Sequence, residues 1–143
     1  MATIYPLDGD VLVAFTVPGK PIPKKRPRVT RNGVYTPHET TAFEQSVTVA
    51  ATKAMRGKQL LDQDVALVAM FERTDRIRCD IDNLVKAVTD AIQSTRASKS
   101  HMGRIGPVLR DDSQIVDMRV RLVRGASTDG TTVAILATEG DPS

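Results

Sequence analysis

Apolar positions recur along this chain with two periods, and the switches between them outline its elements. Val11-Leu-Val-Ala-Phe-Thr-Val17 is rich in β-branched residues and closed by Pro18-Gly19, which predicts a first strand. Asp64-Val-Ala-Leu-Val-Ala-Met-Phe71 is apolar almost throughout, the mark of a central strand covered on both faces. Ile115-Val-Asp-Met-Arg-Val-Arg-Leu-Val123 alternates as a half-buried strand does, and Thr131-Thr-Val-Ala-Ile-Leu-Ala-Thr138 is its expected hairpin partner across 125–130. Elsewhere the period lengthens. Thr36-Pro37-His38-Glu39 supplies an N-cap, a first-turn proline and an acid, opening a helix expected to run to about Arg56 and stop at Gly57. Its apolar face is Phe43, Val47, Ala50, Ala51 and Ala54. Ile81, Leu84, Val85, Val88, Ala91 and Ile92 form a second helical stripe within Cys79 to Ile92. Val29 to Tyr35 reads as a small hairpin about Asn32-Gly33, a dipeptide preferred in tight turns. The order predicts an α+β fold, a mixed sheet of about four to six strands with two main helices packed on it.

Composition changes this picture little. The 143 residues suit one domain, with flexible ends expected over 1–10 and 139–143. A hydrophobic fraction of 41% and a charged fraction of 26% exclude a disordered chain. No apolar run is long enough to span a bilayer and no secretory signal is visible, so a cytoplasmic protein is expected. The single cysteine, Cys79, excludes an internal disulfide and reads as a small half-buried residue.

Charge is more informative in its distribution than in its net value of +3. Lys20, Lys24, Lys25, Arg26, Arg28 and Arg31 crowd into twelve residues, on a stretch whose prolines forbid helix and favour an extended, stiff backbone. A tag-like nuclear or solubility patch is one reading, and an ordered phosphate-binding arm is at least as good a one. The carboxylates gather elsewhere. Asp80 stands at the N-cap position of the second helix, with Asn83 three residues on, and Asp82, Lys86 and Thr89 or Asp90 climb its solvent face. Capping and the helix dipole account for one acid there but less well for two. A second pair, Asp111-Asp112, precedes the strand that begins at Ile115. If the fold brings the pairs together, their repulsion needs a cation, and hard oxygen donors point to magnesium or manganese. The plainer role for Lys86 is a helix ion pair with Asp82. His38 reads as a solvated helix-start residue, and 93–106 as a long polar loop whose preferred reading is a solvated disordered segment, although its Arg96, Lys99, Arg104 and the following Arg110 would suit DNA.

Taken in order, Gly19-Lys-Pro-Ile-Pro-Lys-Lys-Arg-Pro-Arg28, Tyr35-Thr-Pro37, Asp80-Ile-Asp-Asn-Leu-Val-Lys86 with Asp90-Ala-Ile92, and Asp111-Asp-Ser-Gln-Ile-Val-Asp117 resemble the RusA family of Holliday-junction resolvases. The resemblance spans about 11 to 138. It implies a homodimeric, magnesium-dependent endodeoxyribonuclease, with manganese as a substitute, that cuts four-way DNA junctions in recombination and repair and is often phage or prophage encoded. It implies Asp80, Asp82 and Asp112 as metal-binding catalytic acids, Lys86 as the functional lysine and Asp111 as either a further ligand or an orienting group. Lys20, Lys24, Lys25, Arg26, Arg28 and Arg31 become the expected DNA contacts, and no membrane or small-molecule cofactor is implied. Two departures stand out: a longer connection before Asp111, and Val108-Leu109-Arg110 where the family often has a bulky aromatic. A junction-binding protein that does not cut, or a metal-dependent nuclease for other branched DNA, are the alternatives.

Overall fold

The computed structural model describes residues 9–24, 38–94 and 106–138, and the backbone of 28–30 and 33–35. Among these residues the order is β1 (Val11–Pro18), β2 (Arg28–Thr30), β3 (Gly33–Tyr35), α1 (His38–Ala54), β4 (Val65–Arg73), α2 (Ile81–Ile92), β5 (Ile115–Arg124) and β6 (Gly130–Ala137). The α+β reading therefore stands. Strands β1, β6, β4 and β5 form one mixed sheet in that order, and β2 and β3 form a separate hairpin.

The apolar run of β4 puts it inside the sheet, paired to β5 on one side and β6 on the other. Alternate residues serve opposite faces. Val65, Leu67, Ala69 and Phe71 meet α1 and α2 in the main core, while Ala66 and Val68 join Ala134 and Leu136 in a smaller cluster behind. Helix α1 lies against β1, and α2 lies against α1 and β5. Phe43, Val47 and Ala51 of α1 are buried, as is Thr40, whose hydroxyl donates to the Pro23 carbonyl at 3.3 Å. Gly57 follows α1 with φ +80, a conformation glycine adopts without penalty. Leu84, Val88, Ala91 and Ile92 anchor α2, whereas Ile81 is exposed rather than part of the stripe. Truncating Leu84 to Ala would cost about 2–5 kcal/mol. The Thr48 hydroxyl donates to the Ala91 carbonyl at 2.9 Å, tying α1 to the last turn of α2.

Two expectations are corrected. β5 and β6 are not a hairpin: β5 runs parallel to β4 through the α2 crossover, and β6 runs antiparallel to β4 on its other side, between β4 and β1. The physical reason lies in the residues. β6 carries apolar side chains on both faces, as an interior strand must, whereas β5 keeps Asp117, Arg119 and Arg121 exposed, as an edge strand can. The small hairpin exists, but Thr30 pairs with Gly33, so Gly33 belongs to the strand, and Asn32 of the expected turn lies outside the described residues.

Arg73, buried at the end of β4, organises the neighbouring loops. Its Nε and Nη2 each donate to Asp75 at 3.0 Å and its Nη1 to the Pro21 carbonyl at 2.7 Å. The connection into β6 is pinned beside it, with Ala126 N–H donating to the Arg73 carbonyl and Thr74 to the Asp129 carboxylate. The Arg73 guanidinium, with Lys20 beside it, holds the Asp75 carboxyl well below the usual carboxylate range. Among the described residues, no helix is long and apolar enough to cross a membrane.

Candidate active site

The loop leaving β4 turns into α2 at Asp80, whose φ of −80 and ψ of 127 are those of an extended N-cap. The Leu84 N–H donates to the Asp80 carbonyl at 3.1 Å, closing the first helical turn. The Asp80 carboxylate makes no cap bond to the backbone; instead it accepts from the Asn83 side-chain amide at 3.2 Å. Asn83 N–H donates to Asp82 Oδ1 at 3.0 Å. Asn83 thus touches both acids and limits their rotation. Both carboxylates are on exposed residues, next to a helix N-terminus that favours negative charge. Their surroundings form an open groove of about 530 Å³, lined by Cys79, Asp80, Ile81 and Asp82 on one side and Val120, Arg121, Leu122 and Arg124 of β5 on the other. Cys79 is half-buried against the core, as its reading anticipated.

The second acidic pair sits at the other end of α2. Gln93, the residue after the helix, accepts from the Asp112 N–H at 2.9 Å, and its Nε2 donates to Asp112 at 3.3 Å and to Asp90 at 3.4 Å. The return of the chain to this end is close: a Cβ on Gly106 would overlap the backbone of Gln93 and Ser94. Asp111 caps a short 3-10 turn, accepting from Ser113 N–H at 2.9 Å while the Gln114 side chain accepts from the Asp111 N–H. The twelve residues of α2 separate Asp80 from this cluster, roughly 18 Å at the usual helical rise. Within one chain, then, Asp80 and Asp82 share a groove and Asp112 does not join them. Among the described residues, no three Asp, Glu, His or Cys side chains gather closely enough to hold a metal ion. Two carboxylates with open coordination sites still suit magnesium, which keeps waters and takes ligands from substrate phosphates.

Lys86 pairs with Asp90 at 3.5 Å, one turn onward, and not with Asp82. Lys24 reaches Glu44 at 2.9 Å and Asp90 at 3.4 Å, and its backbone N–H donates to the Asn83 carbonyl at 2.8 Å, tying the proline-rich segment to α2. Partial burial pulls the Lys24 pKa down, but the Glu44 hydrogen bond and the charges of Glu44 and Asp90 outweigh it and hold the ammonium above its ordinary value. Lys20 pairs with Asp75 at 3.0 Å. Lys25, Arg26 and Arg31 lie outside the described residues, as does the side chain of Arg28, whose backbone pairs with Tyr35. Arg96, Lys99 and Arg104 also lie outside them, and Arg110 pairs with Asp62. His38 is exposed at the start of α1.

Sequence reasoning missed three features of this region. Gln93 is a polar residue at a helix end, without a signal of its own. The Arg73–Asp75 pair could have been suspected from an arginine ending an apolar strand. Arg121 and Arg124 had the clearest signal, since they lie on the alternating strand opposite the key helix.

Comparison with protein families matches residues 18–136 to the model of endodeoxyribonuclease RusA. No curated protein matches the chain.

Proposed function

The chain belongs to the RusA endodeoxyribonuclease family, and on that premise we propose that it is a magnesium-dependent resolvase of four-way DNA junctions, acting as a homodimer in DNA recombination and repair. The observation that carries this reading is the pairing of Asp80 and Asp82 in one groove at the start of α2, with arginines on its opposite wall. Asp80 and Asp82 would hold magnesium, with manganese as a substitute. The bound ion would offset charge on the scissile phosphate and lower the pKa of its water. The protein's own contribution is orientation. Asn83 fixes both carboxylates from below, and Lys86, exposed one turn after Asp82, is free to swing from Asp90 toward a phosphate oxygen. The proposed origin in a phage or prophage rests on the resemblance alone.

Asp112 belongs to the same site only across a subunit boundary. A helix length separates it from Asp80 within the chain, so we assign the third carboxylate to a second copy, with the Asp112 of each protomer completing the Asp80–Asp82 pair of the other. Gln93 then positions Asp112 by holding both its N–H and its carboxylate. Twofold protein symmetry also matches a junction that needs two paired cuts.

A labelled, mobile four-way junction and a linear duplex of the same sequence, each with magnesium or EDTA, test the activity. Paired symmetric nicks confined to the junction and dependent on metal are expected. Binding without cutting would favour the non-catalytic alternative, and equal cutting of both DNAs a less selective nuclease. Asp82→Asn should lower cutting on the order of a thousandfold while sparing junction binding in EDTA. Mixing inactive Asp82→Asn and Asp112→Asn proteins tests the shared site. Mixed dimers retain one intact site, so cutting should return; no recovery after verified subunit exchange would sink the assignment.

A further inference from the structure

β5 is the outer strand of the sheet, and its exposed positions are unusually cationic. Arg119, Arg121 and Arg124 are all exposed. Among the described residues none of the three has an ion-pair partner, in contrast to Lys20, Lys24, Arg73, Lys86 and Arg110, each of which is paired with a carboxylate. Strand register separates them by face. Arg119 and Arg121 stand beside Val68 and Met70, and Arg124 stands beside Arg73 on the face that carries the helices. Arg76 extends the row, its guanidinium lying where a Cβ on Gly125 would meet it at 3.1 Å.

Arg121 and Arg124 both border the groove that contains Asp80 and Asp82, Arg124 from the face that carries the helices and Arg121 from the opposite face, at the exposed edge of the sheet. Acid and base share this groove without forming an ion pair with one another. Such a separation suits an anionic ligand that lies on the arginines and meets the carboxylates only through a cation. The geometry points to the β5 edge as the track for a DNA strand, with Arg121 and Arg124 gripping phosphates that flank the scissile one. Arg119 to Arg124 covers roughly 17 Å of strand, about the run of five nucleotides at the spacing along one DNA strand. This inference rests on the nuclease reading above and deepens it, since the strongest concentration of cations in the sequence lies on a different segment.

Two other occupants fit less well. Charge on an edge strand commonly blocks unwanted pairing, but that purpose does not require three cations of one sign, two of them bordering the groove. A second copy pairing edge to edge brings like charges opposite one another, which is destabilising, except in registers that set Asp117 against an arginine.

Arg121→Gln and Arg124→Gln, separately and together, keep the edge polar while removing its charge. Binding of a fluorescent synthetic four-way junction to the full-length protein is measured in EDTA over a series of KCl concentrations. The double variant should bind about tenfold more weakly near 0.1 M salt, and its plot of log affinity against log salt should be shallower by about one to two. With magnesium, single-turnover cutting should need more protein for half-maximal rate. Arg121→Lys with Arg124→Lys should recover most of the salt slope, which a purely structural role would not predict. A thermal midpoint equal to wild type separates loss of contact from loss of fold.

An unchanged slope and affinity in a folded double variant would overturn the proposal. A changed sedimentation coefficient with an unchanged slope would overturn it in favour of a protein interface. The parent reading fails separately, if the wild-type protein makes no metal-dependent cut, and the salt slopes measured in EDTA remain interpretable in that case.

Discussion

The proline-rich segment and the β5 edge are both basic, yet they use their charge in opposite ways. Lys20 and Lys24 turn inward: one joins Asp75 and the Arg73 network, the other joins Glu44 and Asp90. Arg119, Arg121 and Arg124 keep their guanidinium groups exposed and, among the described residues, without ion pairs. The density of cations along a sequence therefore measures supply and not availability. Availability is decided by where the fold delivers carboxylates. Glu44, Asp75 and Asp90 come from three separate parts of the chain to meet two lysines that are four residues apart.

The contrast predicts unequal outcomes. The largest is in DNA binding: neutralising Arg121 and Arg124 should cost about tenfold in junction affinity, whereas Lys20→Met with Lys24→Met should change it by less than about twofold and leave the salt slope nearly intact. Equal losses from the two pairs, measured by the same titration, would break the comparison. Next is Asp75→Asn, which strips Lys20 and the buried Arg73 of their shared partner and should lower the thermal midpoint by several degrees at pH 7. Its pH dependence follows from the depressed Asp75 pKa. Because the carboxyl ionises more readily folded than unfolded, its contribution is complete above the unfolded value of about 4 and disappears as pH falls through the lower, folded value. The difference in midpoint between wild type and Asp75→Asn should thus be full at pH 7 and close progressively below about pH 4, as followed by circular dichroism. The smallest effect is that of Lys24→Met alone, a loss of about 2 °C, since a half-exposed pair contributes about 1 kcal/mol or less.

Much of the architecture was legible because local patterns carry it. The continuous run in 64–71 announced an interior strand, and the stripe from Leu84 to Ile92 announced a helix packed on a core. Family membership was legible in Asp80-Ile-Asp-Asn-Leu-Val-Lys86 and Asp111-Asp-Ser-Gln-Ile-Val116. The pairing of strands was less so. β5 and β6 are neighbours in sequence across a glycine-containing connection, and local pairing is the commoner arrangement. The clue that pointed the other way was Val133-Ala-Ile-Leu-Ala137, apolar on both faces and thus suited to the interior. The same oversight hid the position of Asp112. Once β4 and β5 are parallel, α2 must run back between them, and the residues before and after it fall at opposite ends of the layer. The partners of Lys20 and Lys24 were illegible for a simpler reason, being tens of residues away and unrelated to any period.

The position of β6 has a consequence for how the chain is made. The last described strand to emerge in synthesis is the one that lies between β1 and β4. Until Gly130–Ala137 is available, β1 and β4 lack the partner they share, and each presents unpaired backbone groups to solvent. A chain that ends before Gly130 loses the middle of its sheet and not a margin. The fold, and with it the groove between α2 and β5, is therefore completed only once Gly130–Ala137 has been made, so a chain cut short of β6 is kept from acting by the order of its own strands.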